Sequence, residues 1–265
     1  MPFLDRLRKT LGGGPPTPLP DRPLYVIGDI HGRADLLQEL FDLIDADQQD
    51  SGLEQPLAVF VGDYIDRGPD SRRVLQTLQA MQRNLADDAQ AEGEMLCLMG
   101  NHERMMLDFL DAPQEIGPRW LRNGGVATLD SFGIDGVPED PPPEVLDAAR
   151  DALAEALGDG TDAGLAAWIR AMPLIAQSGD VAIAHAACDP DRPIDAQLPA
   201  TLLWGHPEFL SRSRRDGIWV AHGHTVVSTP TVAQRRIATD TGAYFSDRLT
   251  AAILAPGAPV RFLST

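Results

Sequence analysis

The densest chemistry in this chain lies in Gly62-Asp63-Tyr64-Ile65-Asp66-Arg67-Gly68. Two carboxylates and a guanidinium fall within one short loop bracketed by glycines. One carboxylate can bridge metal ions, the other can orient a catalytic base or acid, and the arginine can clamp a phosphate in a fork. The same letters also fit a hydrogen-bonded surface turn. Recurrence separates the two readings, because Gly28-Asp29-Ile30-His31-Gly32 and Gly100-Asn101-His102-Glu103 are loops of the same kind. The chain has six histidines: His31, His102, His185, His206, His222 and His224. Four of them (His31, His102, His185 and His224) end apolar or strand-like runs.

Asp29 and His31 are two apart, so an extended segment turns both to one side. Asp63 adds an acid, Asn101 a neutral oxygen, and His185 and His224 two imidazoles. Mixed oxygen and nitrogen donors suit Mn²⁺, Fe or Zn²⁺ better than Ca²⁺ or Mg²⁺. Six ligands exceed a single tetrahedral structural site. Two divalent ions sharing one carboxylate are the natural solution, and Asp63 is central to the set. Mn²⁺ is the first expectation, with Fe or Zn²⁺ as alternatives.

The elements that must hold these residues follow a pattern. Apolar runs at Leu24–Ile27, Leu57–Val61 and Met95–Met99 read as strands, each ending in one of the polar loops. Each loop leads into a helical period: Leu36, Leu37, Leu40, Phe41 and Ile44; then Val74, Leu75, Leu78 and Met81, with Asp70-Ser71 as N-cap; then Met106, Leu107 and Leu110. Repeated strand–loop–helix units predict a largely parallel sheet with ligands beyond the carboxyl ends of its strands. Between Pro118 and Arg170 the chain turns helical. Trp120-Leu121-Arg122-Asn123-Gly124-Gly125 reads as a helix cap, and Pro141-Pro142-Pro143 starts an acidic helix with Val145, Leu146, Leu153 and Leu157. After Pro173 come short strands, expected at 174–177, 181–185, 218–221, 226–229, 237–239, 250–254 and 260–263, forming a second sheet against the first.

Composition bounds the rest. The 265 residues are 43% hydrophobic, enough for a substantial core, and the formal net charge is −17. That charge argues against an extended nucleic-acid grip and against docking on anionic membranes. Nine Asp or Glu lie between Asp135 and Asp162 against one base, Arg150. This reads as a solvated face of a helical cap at about 112–172. Residues 1–20, with Gly12-Gly13-Gly14-Pro15-Pro16, read as a flexible leader before a domain at 21–265. Two cysteines, Cys97 and Cys188, make no disulfide framework, and no apolar run reaches membrane-spanning length. A cytoplasmic enzyme is expected.

The three polar blocks in order, together with His185 and Gly223-His224-Thr225, resemble the phosphoprotein phosphatase family of calcineurin-like metallophosphoesterases, in its bacterial and phage form. The resemblance runs from Leu24 to about Leu254. It implies an α/β fold: a two-sheet β-sandwich core flanked by helices, in four α/β/β/α layers, here with an acidic helical cap insertion. It also implies that Asp29, His31 and Asp63 hold one metal, and Asp63, Asn101, His185 and His224 the other. By the same resemblance His102 is the acid that protonates the leaving oxygen, Asp66 holds its imidazole, and Arg67 stabilises the phosphate. A metal-bridging hydroxide attacks phosphorus directly, without a phosphoenzyme.

Arg67, Asn101, His206 and Tyr244 are the expected substrate contacts. Trp204-Gly205-His206 departs from the Trp-x-Arg of related bacterial sequences, so His206 stands where a phosphate-binding arginine is common. Arg212, Arg214 and Arg215 lie nearby as substitutes. His185-Ala186-Ala187 differs from the His-Gly-Gly of eukaryotic members, so their regulatory partners are not carried over. The expected substrate is a phosphorylated protein or a small phosphoester, with serine/threonine phosphatase activity first. A nucleotide-polyphosphate hydrolase of the diadenosine tetraphosphatase kind is the alternative, disfavoured by Asp66, which those hydrolases usually replace with alanine. A binding module without turnover predicts a broken ligand set, and every core position is intact.

Overall fold

A computed structural model describes residues 16–88, 90–91 and 93–265. Ten strands form two five-stranded sheets among these residues. The first has the order β10-β9-β1-β2-β3, built from β1 (Leu24–Ile27), β2 (Leu57–Phe60), β3 (Glu94–Cys97), β9 (Thr250–Leu254) and β10 (Arg261–Ser264). The second has the order β4-β5-β6-β8-β7, built from β4 (Ile175–Ser178), β5 (Val181–Ala184), β6 (Trp219–His222), β7 (Thr231–Ala233) and β8 (Arg236–Ala238). β1, β2 and β3 are parallel in one sheet, and β5, β6 and β8 in the other. Six carboxyl ends therefore deliver their loops to one edge of the molecule, where open α/β sheets bind ligands.

The period of two along each strand sorts the core. Leu24, Val26, Val59 and Val61 pack with Val181, Ile183, Ala221 and Ile237, forming one buried cluster shared by the two sheets. Tyr25, Ile27, Phe60 and Cys97 belong to a separate, larger cluster with the helices. Those helices are α1 (Ala34–Ser51), α2 (Ser71–Asp87), α3 (Asn101–Asp111), α4 (Pro113–Trp120), α5 (Val126–Ser131), α6 (Pro143–Ala156) and α7 (Leu165–Arg170). Over the second sheet, Leu202 of the short α8 (Pro199–Trp204) packs with Phe209, Val220 and buried Cys188. A last turn, α9 (Ala243–Ser246), precedes β9. Both cysteines are buried and unpaired, and no described helix is long and apolar enough to cross a membrane.

Several local expectations change. No strand forms at 226–229. Val227 N–H is taken by Asp240 O at 2.9 Å, and the strand lies instead at Thr231–Ala233. It turns into β8 through Gln234 and Arg235, both at positive φ (51° and 60°), the geometry a two-residue hairpin requires. Asp70 occupies the N-cap of α2 but makes no side-chain cap bond. The 120–125 segment does not cap a helix. The chain passes from α4 through one wide turn, Leu121–Gly125, kinked at Gly124 (φ 109°), directly into α5. Of the expected leader, residues 1–15 lie outside the described residues. Within the rest of it, Leu19 N–H donates to Asp180 Oδ1 at 2.6 Å, and Gly257 N–H donates to Pro18 O at 3.0 Å.

Candidate metal and phosphate site

The loops after β1 and β2 are laced together by their backbones. Ile30 and His31 N–H both donate to Asp63 O (3.0 and 2.8 Å), and Gly32 N–H donates to Tyr64 O (2.8 Å). Five side chains of the candidate site sit on left-handed backbone: His31 (φ 46°), Asp63 (55°), Asp66 (72°), Arg67 (70°) and His224 (60°). Strain of this kind persists only where surroundings over-determine it. At Asp63 the surroundings include Glu103. Its fully buried carboxylate accepts N–H bonds from Asp63 (2.8 Å), Tyr64 (2.8 Å) and Gly100 (3.0 Å). Burial, then the Asp63 charge, push its pKa up, and the N–H bonds from Asp63 and Tyr64 oppose that rise by favouring the ionised form.

In the sequence Glu103 is the last residue of the Gly100-Asn101-His102-Glu103 block and has no ligand or acid role. The structure shows it fixing the loop that carries Asp63. Glu103→Gln puts an amide donor where N–H groups need an acceptor, so stability should fall by about 1–3 kcal/mol. Urea unfolding reads this directly, and an unchanged midpoint would remove the assigned task.

Around Asp63 two groups of metal-competent atoms converge: His31, Asp63 and His102, and Asp63, His185 and His224. Asp63 Oδ2 lies 3.6 Å from His31 Nε2 and 3.8 Å from His102 Nε2, while Oδ1 lies 3.4 Å from His185 Nε2. Asn101 Oδ1 is 2.8 Å from His185 Nε2. The His31 Nδ1 is 2.8 Å from Ile65 O, which accepts its proton and leaves the Nε2 lone pair toward the cluster. This donor set fits divalent ions: one carboxylate faces imidazole nitrogens from both sheets, all held in place. Asp29 stands outside both groups. It is 2% exposed, and its carboxylate accepts His224 N–H (3.2 and 3.0 Å).

The electrostatics reflect that crowding. Burial would raise Asp63, but His185, His102 and His31 outweigh it and hold the carboxyl below its ordinary range. Asp29 is raised by burial and by the Asp240 and Asp63 charges. Burial lowers His31 to about 3 and His185 to about 4, against the opposing pull of the Asp63 charge.

On the other side of Asp63 a histidine and an aspartate are paired. His102 Nδ1 is 2.6 Å from Asp66 Oδ2. Burial opposes a charge on His102, but Asp63 and Asp66 raise its pKa on balance. Asp66 is fully buried and also accepts bonds from Trp120 Nε1–H (3.2 Å to Oδ1, 3.0 Å to Oδ2) and Thr128 Oγ1–H (2.6 Å). No sequence signal tied either residue to the site, because Thr128 lies 62 positions from Asp66. Arg67 is exposed at the mouth. Its Nη1 and Nη2 reach His31 Nε2 (3.0 Å) and His102 Nε2 (3.2 Å), and its guanidinium lies 4.7 Å from the Tyr244 ring centroid.

The profile of the calcineurin-like phosphoesterase family matches residues 22–228. The chain belongs to that family. This calcineurin-like phosphoesterase is 38% identical over 104 residues to a serine/threonine-protein phosphatase 1 of Salmonella typhimurium, covering 39% of each chain. The chain thus spans about two fifths of that relative's own length. It is 27% identical to an asymmetrical bis(5'-nucleosyl)-tetraphosphatase of Oceanobacillus iheyensis over 85% of this chain and 86% of the relative. A solved structure of a putative diadenosine tetraphosphatase superposes with a TM-score of 0.58 at 19% identity, over 94% of this chain and 96% of the other, a likeness of fold.

Of the remaining expected residues of the phosphoesterase, only Tyr244 borders this centre. It is 37% exposed and edge-on to His31 at 5.4 Å. His206 does not join the cluster. Its Nε2 faces Asp189 at 3.8 Å, and it lines an open groove of about 340 Å³ with Trp204, Leu210 and His224. Arg212 and Arg214 do not reach in. Arg212 pairs with Asp191 and Glu208, and Arg214 with Asp216. His222 is buried against Phe209, ring centroids 4.9 Å apart, away from the ligand groups.

Proposed function

We propose that this chain is a metal-dependent phosphomonoesterase acting on phosphorylated serine or threonine in proteins. The observation that carries the reading is the His102–Asp66 pair at 2.6 Å beside the Asp63 cluster. A serine or threonine alkoxide is a poor leaving group and needs a proton as it departs, which a held imidazole supplies. Two divalent ions at the cluster would act as Lewis acids, activating a water for attack and neutralising phosphoryl charge. In this reading Asp63 is shared between them; His31 and Asp29 serve one side, and Asn101, His185 and His224 the other. The mixed donor set supports Mn²⁺ first, with Fe or Zn²⁺ as alternatives. Arg67 moves from the imidazoles to the phosphate oxygens, and His102 Nε2 faces the leaving oxygen.

Tyr244 holds Arg67 at the mouth by a cation–π contact worth about 0.5–1 kcal/mol at an exposed position. Tyr244→Ala should therefore raise KM for p-nitrophenyl phosphate about two- to fivefold at nearly constant kcat. A KM equal to the parent's would mean that the contact does not position Arg67.

The second reading, a nucleotide-polyphosphate hydrolase, is favoured by the tetraphosphatase relative that aligns over 85% of this chain. The chemistry of the leaving group separates the two. Cleaving a phosphoanhydride releases a stable phosphate anion that needs no donated proton, so a constructed acid is less useful there. Mn²⁺-loaded protein assayed side by side on a phosphoserine peptide, a phosphotyrosine peptide and diadenosine tetraphosphate tests this. The first reading expects the highest kcat/KM on phosphoserine. Turnover of the tetraphosphate alone would overturn it.

A further inference from the structure

We propose that Trp120 and Thr128, from the helical stretch outside the sheets, are positioning residues that aim the His102–Asp66 pair. The inference rests on the phosphatase reading above. Ser71, Thr128, Trp120 and Asp66 are each 0% exposed and form one closed polar cluster. Thr128 Oγ1–H donates to Asp66 Oδ1 at 2.6 Å, and Trp120 Nε1–H bridges both carboxylate oxygens at 3.2 and 3.0 Å. The Asp66 backbone N–H in turn donates to Ser71 Oγ (3.0 Å) and Thr128 Oγ1 (2.9 Å). A free carboxylate can rotate about its terminal bond. Here donors from two directions fix it, and Oδ2 is left pointing at His102 Nδ1, 2.6 Å away.

The backbone is shaped to make this possible. In a straight helix residues eight apart are separated by about 12 Å along the axis, too far to converge on one carboxylate. The wide turn at Leu121–Gly125, broken at Gly124 (φ 109°), folds the two together. Gly124 O accepts the Arg67 N–H at 3.3 Å, and a Cβ on Gly124 would stand 2.7 Å from that nitrogen. The kink therefore sits directly on the catalytic loop. This stretch belongs to the catalytic apparatus as well as to the acidic helical insertion.

In the step concerned, the P–O bond to the leaving group breaks and the proton on His102 Nε2 passes to the departing oxygen. A water oxygen forms the new P–O bond; one of its protons stays on phosphate, and the other leaves to solvent, from which His102 is reprotonated. Misaiming the imidazole should thus matter in proportion to how much the leaving group needs a proton.

The test compares two esters on the Mn²⁺-loaded full chain: phenyl phosphate, whose leaving group needs protonation, and dinitrophenyl phosphate, whose leaving group does not. Thr128→Val and Trp120→Phe should each lower kcat on phenyl phosphate by about tenfold or more, while dinitrophenyl phosphate stays within about twofold. Thr128→Ser, which keeps the hydroxyl, should restore the ratio. Because both rates come from the same sample, a poorly folded fraction lowers them equally and leaves the ratio intact. Equal losses on both esters, no loss on either, or failure of Thr128→Ser to restore the ratio would overturn the assignment. An unsubstituted chain inactive on both esters would instead remove the phosphatase reading, and the inference with it.

Discussion

His102→Asn should lower turnover of a phosphoserine peptide by about a hundred- to ten-thousandfold while leaving bound Mn²⁺ nearly unchanged. The reason lies in what surrounds the ring. Nδ1 is committed to Asp66 at 2.6 Å, and Nε2 lies 3.8 Å from Asp63 Oδ2. Geometry alone would allow His102 as a ligand, since it falls within one of the two metal-competent groups. The substitution separates the roles. A proton donor takes kcat with it when removed, whereas a ligand takes the metal. Metal analysis of the purified variant beside steady-state kinetics makes the distinction. A large drop in Mn²⁺ content with proportionate loss of activity would convert His102 into a ligand and leave the acid unassigned.

Asp63→Asn carries the second large effect. Asp63 is the one carboxylate common to both groups, with imidazoles facing both of its oxygens. An amide of the same shape keeps the packing but loses the charge that would draw two cations to one point. Titration calorimetry should show the high-affinity Mn²⁺ stoichiometry falling below that of the parent. Loss of several kcal/mol of charge stabilisation at phosphorus corresponds to a turnover drop of more than about a thousandfold. Parent-like stoichiometry and affinity would mean that Asp63 does not bridge.

Much of this arrangement is legible in the amino-acid sequence. Strand, loop and helix alternate because apolar runs of four or five residues end at glycine-flanked polar blocks, so β1, β2 and β3 fall within a residue or two of expectation. The convergence of His185 and His224 with Asp63 follows from parallel strands ending at one edge. What escaped were contacts fixed by tertiary geometry. Thr128 has no local pattern that points to Asp66. The Leu121–Gly125 turn reads as a helix end because glycine pairs usually are one, yet here Gly124 is required by its approach to Arg67. The missing strand at 226–229 reflects competition, since apolar Val226 and Val227 suit a ladder but the bond to Asp240 draws them into the loop after His224.

The left-handed conformations at His31, Asp63, Asp66, Arg67 and His224 have a consequence for anyone trying to make this molecule heat-tolerant. Each holds on the order of 1–3 kcal/mol of conformational energy that the fold would release if the loop relaxed. Glycine would relieve that tension at those positions, but all five carry the side chains of the candidate centre. Gains in melting temperature are therefore better sought elsewhere, in surface helices and turns, because the residues under greatest tension are the ones to which the proposed chemistry is assigned.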